Sequence, residues 1–282
     1  MSIESLTSAQ YHADPAPVPS LSASIAHLLL DQSPLHAWLS HPRLNPNYVP
    51  DQDSRFDLGS AAHMMLLERR EDRIVRVAAD DWRTKAAKEA RDAAQQAGKY
   101  AVLDRQYADI VAMCAQARAF MLKSELGDLL DVGEAEKSIF WTDRGVSCRA
   151  RLDLFSVERR VVLDYKSTAS AQHDAFARQI GRLGYDLQAE FYLRGIKAVT
   201  GREDMVFVFL AQEITPPYSC SLTALSNAYR QVGQDKVERA LSLWQKCLTD
   251  DSWPSYDARI RYAEPKPWEI MQAEEALSEL SV

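Results

Sequence analysis

Asp153, Asp164 and Lys166 are the residues best suited to chemistry, because they are ionisable groups set into two otherwise apolar runs, residues 148–155 and 161–168. An ionised group is costly to bury unless something pairs with it. Both runs read as short strands joined by a polar turn. With Glu158 and Arg159 at the centre of that turn, Asp153 faces Asp164 across the pair, Cβ atoms about 5 Å apart. Lys166, two residues past Asp164, points to the same face. Two carboxylates and a lysine converging in this way suit phosphodiester hydrolysis. Carboxylate oxygens are hard ligands for Mg²⁺, and the ion makes a bound water more acidic and stabilises charge on the attacking and leaving oxygens. A lysine alongside can orient or deprotonate that water and neutralise the developing charge. The same three residues also read as an ion-paired cluster on a strand face.

An acid-x-lysine triplet by itself is weak, since a chain of this composition holds about one or two by chance. The second one here, Glu264-Pro265-Lys266, lies in a proline-rich tail without a strand or an upstream Asp partner. His63 sits on an apolar helix, where a lone histidine is either a satisfied core residue or a ligand. Gln188 and Tyr192 are four apart and share a helix face. Arg149, Arg151, Arg159 and Arg160 cluster around the two strands, either to meet phosphates or as a solvated rim. The basic stretch from Arg83 to Arg91 reads as a solvated helix face.

The elements that must position these groups follow from periodicity and punctuation. Residues 1 to 20, polar and proline-containing, read as a loose arm. Ser22 or Ser24 can cap a short helix through Ile25, and Ser33-Pro34 opens another. Residues 42–53 form a loop. A helix is expected over 56–68, with Leu58, Ala62, Met65 and Leu66 on one side. A short strand over 73–78 precedes an alanine-rich, charged segment at 82–97, and Asp104 can cap a helix reaching Lys123. A strand over 134–141 ends in the hairpin signal Asp143-Arg144-Gly145, followed by the two strands above. Helices are expected at 173–182 and 185–200, strands at 205–214 and 218–222, a long helix over 223–248 and a last one over 268–280. Helices flanking a central group of strands give an α/β fold.

With 282 residues, 46% of them hydrophobic and 26% charged, the chain can bury a sizeable core. The net charge of −7 argues against binding nucleic acid by bulk charge alone. Cys114, Cys148, Cys220 and Cys247 show no zinc or iron–sulfur spacing and read as ordinary thiols in a reducing cytosol. No secretory signal or membrane span is apparent, so a soluble cytoplasmic protein is expected, with no membrane partner.

Taken together, these pieces resemble the PD-(D/E)xK nuclease superfamily, and within it the exodeoxyribonuclease VIII (RecE-type) branch of phages and prophages. The segments that carry the likeness are Leu21-Ser-Ala-Ser-Ile, Ser33-Pro34-Leu-His, Leu58-Gly-Ser-Ala-Ala-His63-Met-Met-Leu-Leu-Glu68, Glu136 to Trp141, Cys148-Arg-Ala-Arg-Leu-Asp153, Leu163-Asp164-Tyr-Lys166-Ser-Thr and Gly184-Tyr-Asp-Leu-Gln188-Ala-Glu-Phe-Tyr192, with Trp253-Pro254 and Pro267-Trp268 near the end. The resemblance implies a restriction-endonuclease-like core, a central mixed β-sheet flanked by helices. The expected organisation is a loose arm at 1–20 and a single nuclease domain at 21–282, with a core of about 56–248 and a tail at 249–282. It implies that His63, Asp153, Asp164 and the Tyr165 carbonyl bind metal, with Lys166 catalytic. Gln188 and Tyr192 would position DNA or brace the site, with Glu136 as a secondary acid and Arg149 and Arg151 at the DNA. The implied cofactor is Mg²⁺ in a two-metal site, with Mn²⁺ able to substitute. The implied activity is 5′-to-3′ digestion of double-stranded DNA ends, leaving 3′ single-stranded tails for recombination, in a homo-oligomeric ring working with a single-strand annealing protein. The rival readings are a non-catalytic DNA-binding or assembly module on a decayed nuclease fold, and a RecB- or Cas4-like nuclease with another substrate. The cysteine positions do not supply the iron–sulfur set of the Cas4 type.

Overall fold

The computed structural model describes residues 1–49 and 58–279. In chain order the elements are β1 (Ser2–Glu4), α1 (Ser8–His12), α2 (Ala23–Asp31), α3 (Pro34–Leu39), α4 (Leu58–His63), a π-helical turn (Met64–Glu68), β2 (Ile74–Val77), α5 (Lys85–Gln96), β3 (Tyr100–Leu103), α6 (Asp104–Lys123), α7 (Leu129–Val132), β4 (Glu134–Asp143), β5 (Val146–Ser156), β6 (Val161–Thr168), α8 (His173–Arg182), α9 (Tyr185–Thr200), β7 (Val206–Glu213), β8 (Cys220–Ala224), α10 (Asn227–Asp250) and α11 (Pro267–Glu279). Punctuation accounts for many of the boundaries. Ser22, Ser33, Thr84 and Ser226 each accept an N–H from the first turn of the helix they precede. The β4–β5 hairpin turns on Arg144 and Gly145, both with positive φ, the geometry that favours a two-residue loop.

Six strands form one mixed sheet in the order β1-β4-β5-β6-β7-β8, antiparallel throughout except for the parallel pair β6–β7. A parallel pair needs a long crossover, and α8 with α9 supplies it. Helices cover both faces. Phe207, Phe209 and Ala211 enter one core beside α2, α9 and α10, while Val208 and Leu210 enter a second core beside α4 and α6. This is why 206–211 is an unbroken apolar run rather than an alternating one.

Several expectations change. Residues 1–20 are not a loose arm. β1 covers the free edge of β4, Thr7 and Gln10 close a capping box on α1, and Asp14 is buried with its carboxylate 3.0 Å from Arg149 and hydrogen-bonded to Ser20. Proline content signalled looseness, but an exposed sheet edge and a buried ion pair outweigh it. The expected helix over 56–68 is α-helical only from Leu58 to His63 and then widens into the π turn, Phe56 and Asp57 lying outside the described residues. β3 was not anticipated; it pairs in parallel with β2. Asp104 is the first residue of α6 rather than its cap, and the Gln106 side chain instead accepts the Leu103 N–H at 2.9 Å. No helix among the described residues is long and apolar enough to cross a membrane.

Candidate active site

The hairpin register agrees with the sequence expectation. Leu154 pairs with Leu163 and Ser156 with Val161, so Asp153 falls opposite Asp164 by continuation, although the connection is a four-residue turn, 157–160, rather than a two-residue one. The β5–β6 pairing stops at Leu154–Leu163, one row short of the acids. On the other side of β5 the β4 ladder skips the same row: Ala135–Leu154 and Lys137–Leu152 pair, but Glu136 and Asp153 between them do not. Glu136 adopts φ 58°, a left-handed conformation rare for a residue with a side chain. Along β5, Leu152 faces one core and Leu154 the other, which strict alternation forbids. The sheet therefore opens along a row of three carboxylates, Glu136, Asp153 and Asp164, and helices from both layers reach into the opening.

From one layer, α4 ends on His63. Its Nε2 lies 3.3 Å from Asp153 Oδ2 and 3.5 Å from Glu136 Oε1. From the other layer, Gln188 on α9 donates from Nε2 to Asp164 Oδ1 at 2.6 Å. Tyr192, one turn further on, is set beside Gln188 and its hydroxyl is pushed well above the usual range by burial. Lys166 Nζ is 2.6 Å from Asp164 Oδ2 and 4.7 Å above the Tyr185 ring. The Tyr165 N–H donates to Asp153 Oδ2 at 2.9 Å, so a side chain takes the place of a ladder partner.

The electrostatics are those of an acid cluster short of positive charge. Burial, reinforced by the Asp153 charge, pushes Asp164 up to about 6 although Lys166 opposes the rise. Burial also tends to raise Asp153, but His63, Lys166 and the Tyr165 N–H outweigh it and hold that carboxyl below its ordinary value. Burial alone would lower His63, yet Asp153, Glu136 and Glu68 raise it to about 9. Lys166 is likewise raised against its burial by Asp164 and Asp153. Glu136 is raised, chiefly by burial.

Asp164 Oδ2 is buried with the Lys166 ion pair but no aligned hydrogen bond, and Glu136 Oε1 is buried without one. Both are hard carboxylate oxygens, the donors that Mg²⁺ takes. The residues present fit a divalent cation held by Asp153, Asp164 and His63, with the Tyr165 carbonyl between Asp164 and Lys166 in the chain. A cleft of about 800 Å³ reaches His63, Glu136, Asp153 and Gln188 and is walled by His12, Ser24, His27, Tyr100 and Leu183, while Asp164 lies buried behind its lining.

The arginines divide. Arg149 is not a candidate for DNA contact, because its guanidinium is buried against Asp14 and Ser20. Arg151 pairs with Glu136 at the cleft wall. Arg159 and Arg160, at the far turn, pair with Asp128 and Asp204. Glu68 and Tyr185 lie inside the resembling segments 58–68 and 184–192, but the sequence reading gives them no role at the site. Glu68 brings a carboxylate oxygen that lies, with ligand atoms of His63 and Glu136, in a group all within 4.8 Å of one another.

Comparison with known proteins bears on this geometry. A comparison with curated proteins gives no significant match. Among solved structures, a candidate exonuclease from Eubacterium rectale superimposes with a TM-score of 0.61 at 13% identity, covering 95% of this chain and 97% of that one. A second, SSO0001, gives a TM-score of 0.26 at 14% identity, covering 65% of this chain and 87% of that one, too remote for argument. Residues 31–265 match the family model described as a PDDEXK-like domain of unknown function (DUF3799), a span that takes in His63, the row of three carboxylates, Lys166 and Gln188, and the chain belongs to that PDDEXK-like family.

Proposed function

We propose that this chain is a Mg²⁺-dependent deoxyribonuclease that digests double-stranded DNA from its ends. The observation that carries the reading is the convergence on one buried carboxylate, Asp164, of Lys166 from its own strand and Gln188 from α9, beside Asp153 and His63. A divalent cation bound by His63, Asp153, Asp164 and the Tyr165 carbonyl would make an attacking water more acidic and offset negative charge on the phosphate. The chain's own groups do the rest. Gln188 holds Asp164 Oδ1, and Lys166 faces Oδ2. Lys166, kept protonated by Asp164 and Asp153, is a donor rather than a base; it neutralises charge on the phosphate oxygens as the new P–O bond forms and the old one breaks. Tyr185 beneath its ammonium fixes where that charge points.

The RecE-type assignment extends the proposal to 5′-to-3′ polarity, 3′ single-stranded tails for recombination, a homo-oligomeric ring and a single-strand annealing partner. These finer points rest on the sequence resemblance alone, and the exonuclease description of the Eubacterium rectale protein supports only digestion from an end. Encirclement would also explain how a chain of net charge −7 stays on its substrate. The test is digestion of linear duplexes labelled at the 5′ or the 3′ end, beside a closed circle, with Asp164→Ala as control. Release of the 5′ label first, with the circle intact, is expected. Loss of the circle, or full activity in the control, refutes the proposal.

A further inference from the structure

We propose that Glu68 is a positioning residue that acts through His63: it takes the ring proton onto Nδ1 and so presents the Nε2 lone pair to the cation. The inference rests on the metal-site reading above. Its basis is the π turn. In an α-helix the fifth residue on lies about 140° round the axis, away from the first. Over Met64–Glu68 the backbone instead closes wider rings, the Arg69 N–H donating to Met64 O. Glu68 thereby returns under His63, with Oε1 3.8 Å from Nδ1. That separation is an ion-pair distance, within a sub-ångström shift of a hydrogen bond.

The two edges of the ring face different partners. Nε2 faces Asp153 Oδ2 and Glu136 Oε1, and Nδ1 faces Glu68. A neutral imidazole carries one N–H. Asp153 and Glu136 both favour that proton on Nε2, where it would block coordination. Glu68 is the carboxylate on the other edge, and it draws the proton to Nδ1. A carboxylate behind a ligating histidine commonly sets the tautomer and raises the ring's basicity, and its loss lowers metal affinity 10–100-fold.

The test uses the full chain and Mn²⁺, with free ion counted by electron paramagnetic resonance. Glu68→Ala is expected to weaken Mn²⁺ binding about 10–100-fold, and Glu68→Gln, which keeps an acceptor for the Nδ1 proton, to recover most of it. In a His63→Ala background Glu68→Ala should change affinity less than about twofold, because the group it acts through is gone. Unchanged affinity in Glu68→Ala overturns the inference. So does an equal loss in both backgrounds, which would make Glu68 a ligand in its own right. Asp164→Ala separates the two levels: if it leaves Mn²⁺ binding intact the site reading itself fails, whereas if it abolishes binding while Glu68→Ala does nothing only the role of Glu68 fails. Far-ultraviolet circular dichroism of each variant keeps folding defects out of the comparison.

Discussion

Asp164→Asn should make the protein more stable and inactive at the same time. Asp164 is 2% exposed and its carboxyl is raised from 3.8 to about 6, with burial as the first cause. A raised acid binds its proton more tightly in the folded than in the unfolded chain. The stability that depends on Asp164 is therefore fully present below about pH 4, where both states are protonated, and is lost as pH rises through about 4 to 6. At about 1.4 kcal/mol per unit, ionising Asp164 costs the fold about 3 kcal/mol above that window. Asparagine keeps the shape and the Gln188 contact but cannot ionise. In urea unfolding with chelator present, the variant should gain about 2–3 kcal/mol on the wild type between pH 4.5 and pH 8. A cation that binds only the folded state closes the gap, adding about 2.7 kcal/mol to the wild type at a hundredfold excess over its dissociation constant and reversing the order at a thousandfold excess, where it adds about 4.1 kcal/mol, with little added to the variant. Equal stability of the two proteins at pH 8 without cation, or equal stabilisation by Mn²⁺, would refute both the raised ionisation and the place of Asp164 in the cation site.

Three further substitutions separate the roles of neighbouring groups. Lys166→Ala should lower the rate of digestion by about 10²–10³-fold while Mn²⁺ affinity stays within a few-fold, since the lysine neutralises substrate charge rather than holding the ion; both are read from single-turnover digestion and ion binding. Arg149→Ala should cost about 1.5–3 kcal/mol by removing one charged partner of buried Asp14, whose carboxylate keeps His41 at 3.3 Å and Arg43 at 3.9 Å, and Asp14→Asn with Arg149→Met should recover much of the loss. At a temperature where the variants are folded their activity should equal the wild type, because Arg149 faces no substrate. Gly184→Ala should destabilise by more than about 1 kcal/mol, because Gly184 opens α9 with φ 70° and a Cβ there would lie 2.5 Å from the His27 ring. Adding His27→Ala should remove the clash but leave the backbone strain, so thermal melting should show partial recovery.

Much of the frame could be read from residue pattern because the pattern and the tertiary environment agree. The helices at 173–182 and 185–200 were placed to the residue, and Asp104–Lys123 spans the expected helix. The Asp153–Asp164 register followed from turn position alone, since a four-residue turn centred on the same bond preserves it. What was illegible is what local pattern opposes. Nothing in Met64 to Glu68 signals a π turn, so Glu68, five residues past His63, falls on the wrong side of any α-helical projection. Arg149 lies two residues from Arg151 on the same strand and looks equivalent to it, yet one is consumed by an aspartate 135 positions earlier in the chain and the other reaches the cleft. β3 is four residues long, and its only partner is β2, another short strand. Such an element depends on long-range pairing rather than on its own propensity.

Four departures from regularity meet at the site. Glu136 in a left-handed conformation, the unpaired row between β4, β5 and β6, the π turn under His63 and the ionised Asp164 each raise the energy of the chain when no cation is bound. A strained backbone position alone costs about 1–3 kcal/mol. Polar atoms meet beside them: His63 Nε2 lies 3.3 Å from Asp153 Oδ2 and 3.5 Å from Glu136 Oε1, Glu68 Oε1 faces the other edge of the ring, and Lys166 faces Asp164 Oδ2. A regular ladder through this row would satisfy the backbone and turn alternate side chains to opposite faces, which would separate His63 from Gln188. On the proposed metal-site reading, opening it would let a cation meet groups from both helical layers, and binding that cation would return the stability the opening gives up.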